Sequence, residues 1–388
     1  MKTFWRLTAL ILVLAMVLPT VACGGGESGL EVSTYETPVK KTTEKPTTTT
    51  KKIYNMVDHT MGELEGNIRV LGERTHIKDG VLLADWCCSG FEIKFETEGT
   101  DFIVYFEGSY QNYFKVLIDG VPTVSRFVTS AKPEKKTVAK ALEEGTHVIR
   151  VVKDSAPSTT IGSYCNITGV SFDGTVLQAD NEKRDLYLEF IGDSVWCGSG
   201  ALGSTANSAN YNSEGSATAA VPYLVSEALN ADYNVTARGS IGVVAKAGDY
   251  NMGQLYPHLN GYRDNEVYKP ERAPDAVIIS LRSNDSKDAA GDFVRDGKAL
   301  IRQIRSIYGT NVKIIWTYGM FSRLHMYTEL TMIQDQMGGE ANGIYLLQLS
   351  YGQNGSGSSA DNRHPSAADH QRNADIMVPY LKTLLGIA

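Results

Sequence analysis

The chain has 388 residues, 42% of them hydrophobic and 21% charged, with a net charge of −7. That length leaves room for two domains plus extensions, and the composition is ordinary for a globular protein. No basic domain stands out to neutralise phosphates, which argues against a nucleic-acid partner.

The N-terminus reads as an export signal. Lys2 and Arg6 precede an apolar run over 9–18, followed by Thr20-Val21-Ala22-Cys23 and three glycines. The run is too short and wrongly flanked for a good membrane span. The small residue before Cys23 resembles a bacterial lipoprotein cleavage site, although Thr20 stands where Leu is usual. The expectation is a signal over 1–23, a lipid on Cys23, and a product held on the outer face of the cytoplasmic membrane, with plain secretion and an incidental Cys23 as the alternative. Residues 24–52 are mostly Gly, Thr, Lys, Glu and Pro. Too few of them are apolar to offset the entropy of ordering, so they read as a disordered tether. Export permits disulfides among Cys87, Cys88, Cys165 and Cys197, with buried free thiols as the equal alternative. No His/Cys spacing suggests zinc, and no metal or organic cofactor is expected.

Residues 53–175 read as β. The segment 91–95 (FEIKF) alternates apolar and polar, 102–106 (FIVYF) is continuously apolar, and 114–118 (FKVLI) ends at the turn signal Asp119-Gly120. Residues 147–152 (HVIRVV) make a further strand. Short strands with Gly and Asp punctuation predict an all-β sandwich of jelly-roll type. Trp86, Tyr110 and Tyr113 either line a sugar-binding surface or, the favoured reading, fill core and rim.

From 184 to 388 the texture changes to alternating strands and helices. Apolar strands are predicted at 187–191, 233–237, 276–281, 312–316 and 344–349. A helix is predicted over 289–308, because Phe293, Leu300, Ile301, Ile304 and Ile307 recur at helical spacing. A last helix is predicted over 366–385, bent near Pro379. The pattern implies a three-layer α/β domain, a parallel sheet covered on both faces, with its site beyond the C-terminal ends of the strands.

Ser194 follows the first of these strands directly, in Gly192-Asp193-Ser194. A serine hydroxyl is a poor nucleophile until a base takes its proton. His364, in Asp361-Asn362-Arg363-His364-Pro365, is the candidate base, and Asp361 could hold the other ring nitrogen. Each signal alone is weak; together, at opposite ends of one α/β domain, they make a constellation. His370 reads as solvent-facing or capping a helix, and His258 and His325 as loop residues without a carboxylate partner. The glycine-rich 198–203 lacks the Lys of a phosphate loop and reads as a flexible rim, continued by 207–216.

The constellation resembles the SGNH (GDSL-like) hydrolase superfamily, a flavodoxin-like fold. Gly192-Asp193-Ser194 matches its first block, Ser283-Asn284-Asp285 its third with Arg282 where Gly is usual, and Asp361 with His364 its last. The resemblance implies an oxyanion hole made by the Ser194 amide, the Asn284 side chain and a second amide. In Arg238-Gly239-Ser240-Ile241-Gly242 spacing favours Ser240 for that amide, over Gly239 or Gly242. A closer resemblance, to carbohydrate esterase family two, covers nearly everything after the tether. It rests on the β-sandwich in front, Cys197-Gly198 after the serine, Trp316-Thr317-Tyr318-Gly319-Met320, and Asp361-x-x-His364-Pro365-Ser366. It implies a deacetylase of plant polysaccharides such as xylan and glucomannan, working by a Ser194–His364–Asp361 triad; separately, a monomer is expected, though the sequence leaves the oligomeric state open. It also implies an aromatic that stacks on the sugar, Trp316 by motif position or Trp196 by closeness to Ser194. Two other readings compete: an esterase of O-acetylated peptidoglycan or exopolysaccharide, and a carbohydrate-binding lipoprotein without activity.

Overall fold

The computed structural model describes residues 53–108, 111–157, 165–178, 183–205, 211–245, 249–321, 325–357 and 363–387. The segments read as signal (1–23) and tether (24–52), with Cys23, Tyr110 and Asp361, lie outside these residues. From Ile53 onward the chain forms one compact unit.

Two antiparallel sheets come first. One orders Glu134–Leu142, Thr100–Gly108, Cys165–Phe172, Val81–Leu83 and His76–Lys78, with Val57–Thr60 also on Cys165–Phe172. The other orders Thr175–Leu177, Gly90–Thr97, Gly145–Lys153, Tyr113–Ile118 and Val121–Pro122, joined by Ile68–Leu71 and Phe127–Val128. From Gly90 to Leu177 the longer strands alternate between the sheets along the chain. The alternating side chains that predicted these strands point inward: Phe91, Ile93 and Phe95 from one sheet meet Phe102, Val104, Phe106 and Phe172 from the other.

A five-stranded parallel sheet follows. Its strands are β1 (Tyr187–Gly192), β2 (Asp232–Ala237), β3 (Ala276–Ser280), β4 (Lys313–Tyr318) and β5 (Ile344–Gln348), in the order 2-1-3-4-5. Leu188, Phe190, Ile278, Ile315 and Leu347 pack on one face, with the helices α1 (Val221–Ala228) and α4 (Ala367–Leu385). Ile191, Val277, Ile279, Ile314 and Trp316 pack on the other, with α2 (Ala290–Tyr308) and α3 (Tyr327–Gln336). Burial on both faces explains why these strands read as apolar runs rather than alternating ones. The last helix stays continuous through Pro379.

Polar anchors join the antiparallel part to the parallel one. Arg263 clamps Asp85 at 2.6 and 2.7 Å, Arg69 meets Asp232 at 2.6 Å, and Arg150 meets Glu227 at 2.9 Å. Trp86 is buried there, its indole N–H on the Leu259 carbonyl at 2.7 Å, so it is an interface residue and lines no sugar surface. Tyr113 lies under the Arg126 guanidinium at 4.7 Å. Cys87, Cys88, Cys165 and Cys197 are free, buried thiols.

Candidate active site

In a 2-1-3-4-5 sheet the chain leaves β1 and β3 in opposite directions, which opens a crevice at their C-terminal ends. Ser194 stands in that crevice, two residues after β1 ends. A tight turn carries it: the Cys197, Gly198 and Ser199 amides donate to the Asp193, Val195 and Ser194 carbonyls at 3.2, 3.0 and 3.0 Å. Gly192 must lack a side chain, because a Cβ there would meet Trp196 Cβ at 2.9 Å and its ring at 3.1 Å.

The structure brings His364 to this serine, with Nε2 3.0 Å from Ser194 Oγ. The residue precedes α4, whose cap fixes the approach: Ser366 is the N-cap and Asp369 completes a capping box. Asp369 also accepts from Asn354 at 2.9 Å, and these bonds hold its carboxyl down to about 2 despite burial. The His364 amide donates to Ser356, its carbonyl accepts from Gly355, and its ring lies 5.2 Å from Phe321. Phe321 went unnoticed in the sequence, although it directly follows the Trp-x-Tyr-Gly-Met stretch.

The glycine-rich turn proves to be a packed wall. At Gly200, which has φ +69°, a Cβ would meet the Ser356 carbonyl at 2.5 Å and His364 Cβ at 3.2 Å. Glycine is needed so that the His364 loop can close on the serine turn.

Burial pushes the His364 imidazole down to about 4 and that of the fully buried His370 to about 3. His370 does not face solvent; it takes the helix-capping alternative, its Nδ1 accepting from the Val221 amide at the start of α1 at 3.3 Å. Both groups bind protons more readily once unfolded, so stability falls as pH drops from the ordinary histidine range toward these values. His258 and His325 rest on carbonyls, of Gly261 at 3.1 Å and Asp285 at 2.8 Å.

Asn284 and Asp285, just after β3, grip the loop that follows β2. The Asn284 amide donates to the Ile241 carbonyl at 2.9 Å and to Asp193 Oδ2 at 3.3 Å. The Asp285 carboxylate accepts from the Val243 and Val244 amides at 3.1 and 2.8 Å. Gly242 makes room for it, since a Cβ there would lie 2.6 Å from Asp285 Oδ1. In this loop Gly239 faces the serine, a Cβ on it falling 4.0 Å from Ser194 Cβ. Ser240 is exposed, with φ +62°.

The two tryptophans do not line a sugar site. Trp316 is 1% exposed, its indole N–H on the Leu281 carbonyl at 2.9 Å and its ring against Phe293. Trp196 is fully buried beneath Gly192, edge-on to Phe190 at 5.5 Å. Alternation along β4 puts Trp316 on the face of Ile314, which helices cover. Among the described residues no group of three His, Cys, Asp or Glu side chains could hold a metal ion.

A serine hydroxyl on an imidazole nitrogen, with side-chain and main-chain amides close by, can carry out acyl transfer. Residues 72–179 match the family described as "Carbohydrate esterase 2 N-terminal". The chain is 26% identical over 314 residues to "Cellulase/esterase CelE" of Acetivibrio thermocellus, covering 78% of this chain and 37% of that one. It is likewise 26% identical over 325 residues to "Acetylxylan esterase / glucomannan deacetylase" of Cellvibrio japonicus, covering 78% of this chain and 86% of the relative. Its fold matches a family two carbohydrate esterase from Clostridium thermocellum solved with cellohexaose, at TM-score 0.73 and 23% identity over 83% of this chain and all of that one. It also matches an acetyl xylan esterase from Butyrivibrio proteoclasticus, at TM-score 0.74 and 19% identity over 87% of this chain and all of that one.

Proposed function

We propose that this chain, a family two carbohydrate esterase with an SGNH-type α/β domain, removes O-acetyl groups from polysaccharides such as xylan and glucomannan. The observation that carries the reading is the 3.0 Å contact between Ser194 Oγ and His364 Nε2 at the switch point of the sheet. Support comes from the family match in front of it and from relatives named for acetylxylan and glucomannan. The alternation of strands between the two antiparallel sheets supports reading the sandwich as a jelly roll.

In the first step His364 Nε2 takes the Ser194 proton as Oγ attacks the acetyl carbonyl carbon. The carbonyl oxygen becomes an oxyanion, stabilised by the Ser194 amide, the Asn284 side chain and an amide of the loop after β2. Gly239 or Ser240 supplies that third donor, and the nearness of Gly239 to Ser194 favours the former. The sugar oxygen leaves with the proton from His364. Water then attacks the acetyl-serine, and the same base and hole release acetate. Acetate release from acetylated xylan, glucomannan and O-acetylated peptidoglycan tests the substrate. Release from the plant polymers is expected; release from peptidoglycan alone would replace them with a cell-wall substrate.

The base must be neutral to act, so activity is lost as pH falls through the His364 pKa. Burial pushes that down to about 4. A carboxylate on Nδ1 stabilises the imidazolium and moves the limb up. With Asp361 in that role, Asp361→Asn is expected to lower kcat and shift the acid limb of kcat/KM to lower pH. An unmoved limb would show that Asp361 is not the partner.

The segment before Ile53 extends the reading to export and a lipid on Cys23, with 24–52 as tether, from the pattern of Lys2, Arg6 and the apolar run. Expressed in a bacterium, the chain should incorporate labelled fatty acid and lose the label in Cys23→Ala. Label that persists in the variant would refute anchoring at this residue.

A further inference from the structure

Asp193 lies between the nucleophile and the oxyanion donor, and nothing in the acyl-transfer scheme uses it. Its side chain is buried, 1% exposed. One carboxylate oxygen accepts from the Val195 amide at 2.9 Å, in the turn that carries Ser194. The other accepts from the Asn284 side-chain amide at 3.3 Å. The second hydrogen of that amide is on the Ile241 carbonyl at 2.9 Å, in the loop after β2. The three loops that converge on Ser194 are thus tied through one carboxylate and one amide.

We propose that Asp193 is a positioning residue for the oxyanion hole, its carboxylate holding the Asn284 amide in register with the serine turn. The proposal rests on the esterase reading. An Asn side chain rotates freely about two bonds, and its oxygen and nitrogen ends are nearly the same shape. The Ile241 carbonyl takes one hydrogen of the amide, and an acceptor-only group at Asp193 takes the other, so that the nitrogen end faces the serine turn. The contact to Asp193 is the longer of the two and therefore the one an oxyanion can draw away.

Asp193 is costly to keep ionised. Burial, with the nearby Asp285 carboxylate, pushes its carboxyl up to about 7, against the Val195 amide and the Arg282 guanidinium, which favour the charge. Asp285 faces it from the loop after β3 and is itself held by the Val243 and Val244 amides. Arg282, also buried, donates to the His325 carbonyl, and burial lowers it to about 10. The Cys197 thiol faces it from the serine turn and is pushed up by burial, by Cys87 and in part by Asp193. His364 stands beyond Ser194. A group with a raised pKa favours folding fully below its unfolded value near 3.8 and loses that contribution as pH rises through about 7. A residue kept for packing alone would not carry such a penalty at neutral pH; one kept for a site can.

Asp193→Asn is the test. It keeps an oxygen for the Val195 amide but sets NH₂ against NH₂ at Asn284. Expected is a fall in kcat of roughly 10- to 100-fold, the range below loss of a whole oxyanion donor, with KM within about twofold of wild type. Tm should be no lower than wild type at pH 8, and relatively lower at pH 5. Asn284→Ala is expected to cost more, about 100- to 1,000-fold in kcat, and the double variant should be no slower than Asn284→Ala alone. Unchanged kcat in Asp193→Asn, additive losses, or a Tm lowered equally at both pH values would each overturn the proposal. If Asp193→Asn does not fold, carboxyl infrared difference spectra of wild type against Asn284→Ala decide. Losing the amide donor must move the Asp193 titration to higher pH, and an unmoved titration would overturn the contact. If wild type releases no acetate from any substrate, the esterase reading fails on its own, while Tm and infrared data still read the contact.

Discussion

Ser194→Ala is expected to lower kcat on an aryl acetate and on acetylated xylan by on the order of 10⁴-fold or more, with the fold intact. In the proposed mechanism the hydroxyl forms the bond to the acetyl carbon, and among the described residues beside it none offers a ready substitute. Cys197, three residues on, is a buried thiol held far from its thiolate form. His364→Ala should lose nearly as much, because Ser194 without its base is an ordinary alcohol. The double variant should be no slower than either single one, since proton transfer and attack are one event. What remains is the work of the oxyanion donors. The half-buried Ser194 makes few packing contacts, so Tm should stay within a few degrees. Burst kinetics with 4-nitrophenyl acetate read the acyl-enzyme directly: wild type should show a burst when deacylation is the slower step, and Ser194→Ala none. Wild-type turnover in Ser194→Ala would remove the serine mechanism. Multiplicative losses in the double variant would show that His364 acts on some other group.

The parallel sheet was legible because its strands are covered on both faces and so are written as apolar runs, with helical patterns between them. Ser194 and His364 were legible for a related reason: each follows or precedes such an element directly, where the topology places sites. The strand Glu134–Leu142 escaped notice. Its sequence, EKKTVAKAL, carries one buried residue, Ala139, and two register shifts against Thr100–Gly108. An edge strand of this kind has charges where a central strand has a core, so no period of two survives. The tryptophans misled because their motif position says they are near the site, not which way the indole points. The rim glycines misled because a sequence shows glycine as freedom, whereas Gly200 and Gly203 are needed for close approach: a Cβ at Gly203 would sit 2.5 Å from Ser356. Asp193 was in view as part of the first block, but its contact to Asn284 joins positions 91 residues apart and has no local signature.

The largest expected loss of stability is at Arg74, a residue of the antiparallel part. Its side chain is inside the parallel part, with no exposed surface, 3.4 Å from an equally buried Glu189 on β1. The guanidinium donates to the Tyr256 and His258 carbonyls at 2.8 Å each and lies 3.9 Å from the Tyr268 ring and 4.9 Å from that of Tyr256. Glu189 accepts from the Tyr256 hydroxyl at 2.7 Å and from Asn234 at 3.1 Å. Arg74→Met removes the cation and leaves a carboxylate in the middle of a buried strand. Breaking one partner of such a pair costs about 3–5 kcal/mol, a large share of the roughly 5–15 kcal/mol that holds a domain together. Arg74→Met with Glu189→Leu leaves no charge behind and should recover part of the loss, which urea titration of the three variants measures. A single transition common to all of them is also expected. The Arg74 plug, the Asp85–Arg263 clamp and the Arg69–Asp232 pair cross the same boundary, so the parts cannot separate without breaking three ion pairs and leaving the Glu189 carboxylate inside the parallel part without its cation. An unchanged urea midpoint in Arg74→Met would mean the carboxylate finds water or a proton at little cost. Two separate transitions in wild type would mean the antiparallel part is an appended module, rather than half of the fold that holds β1 and, at its end, the serine.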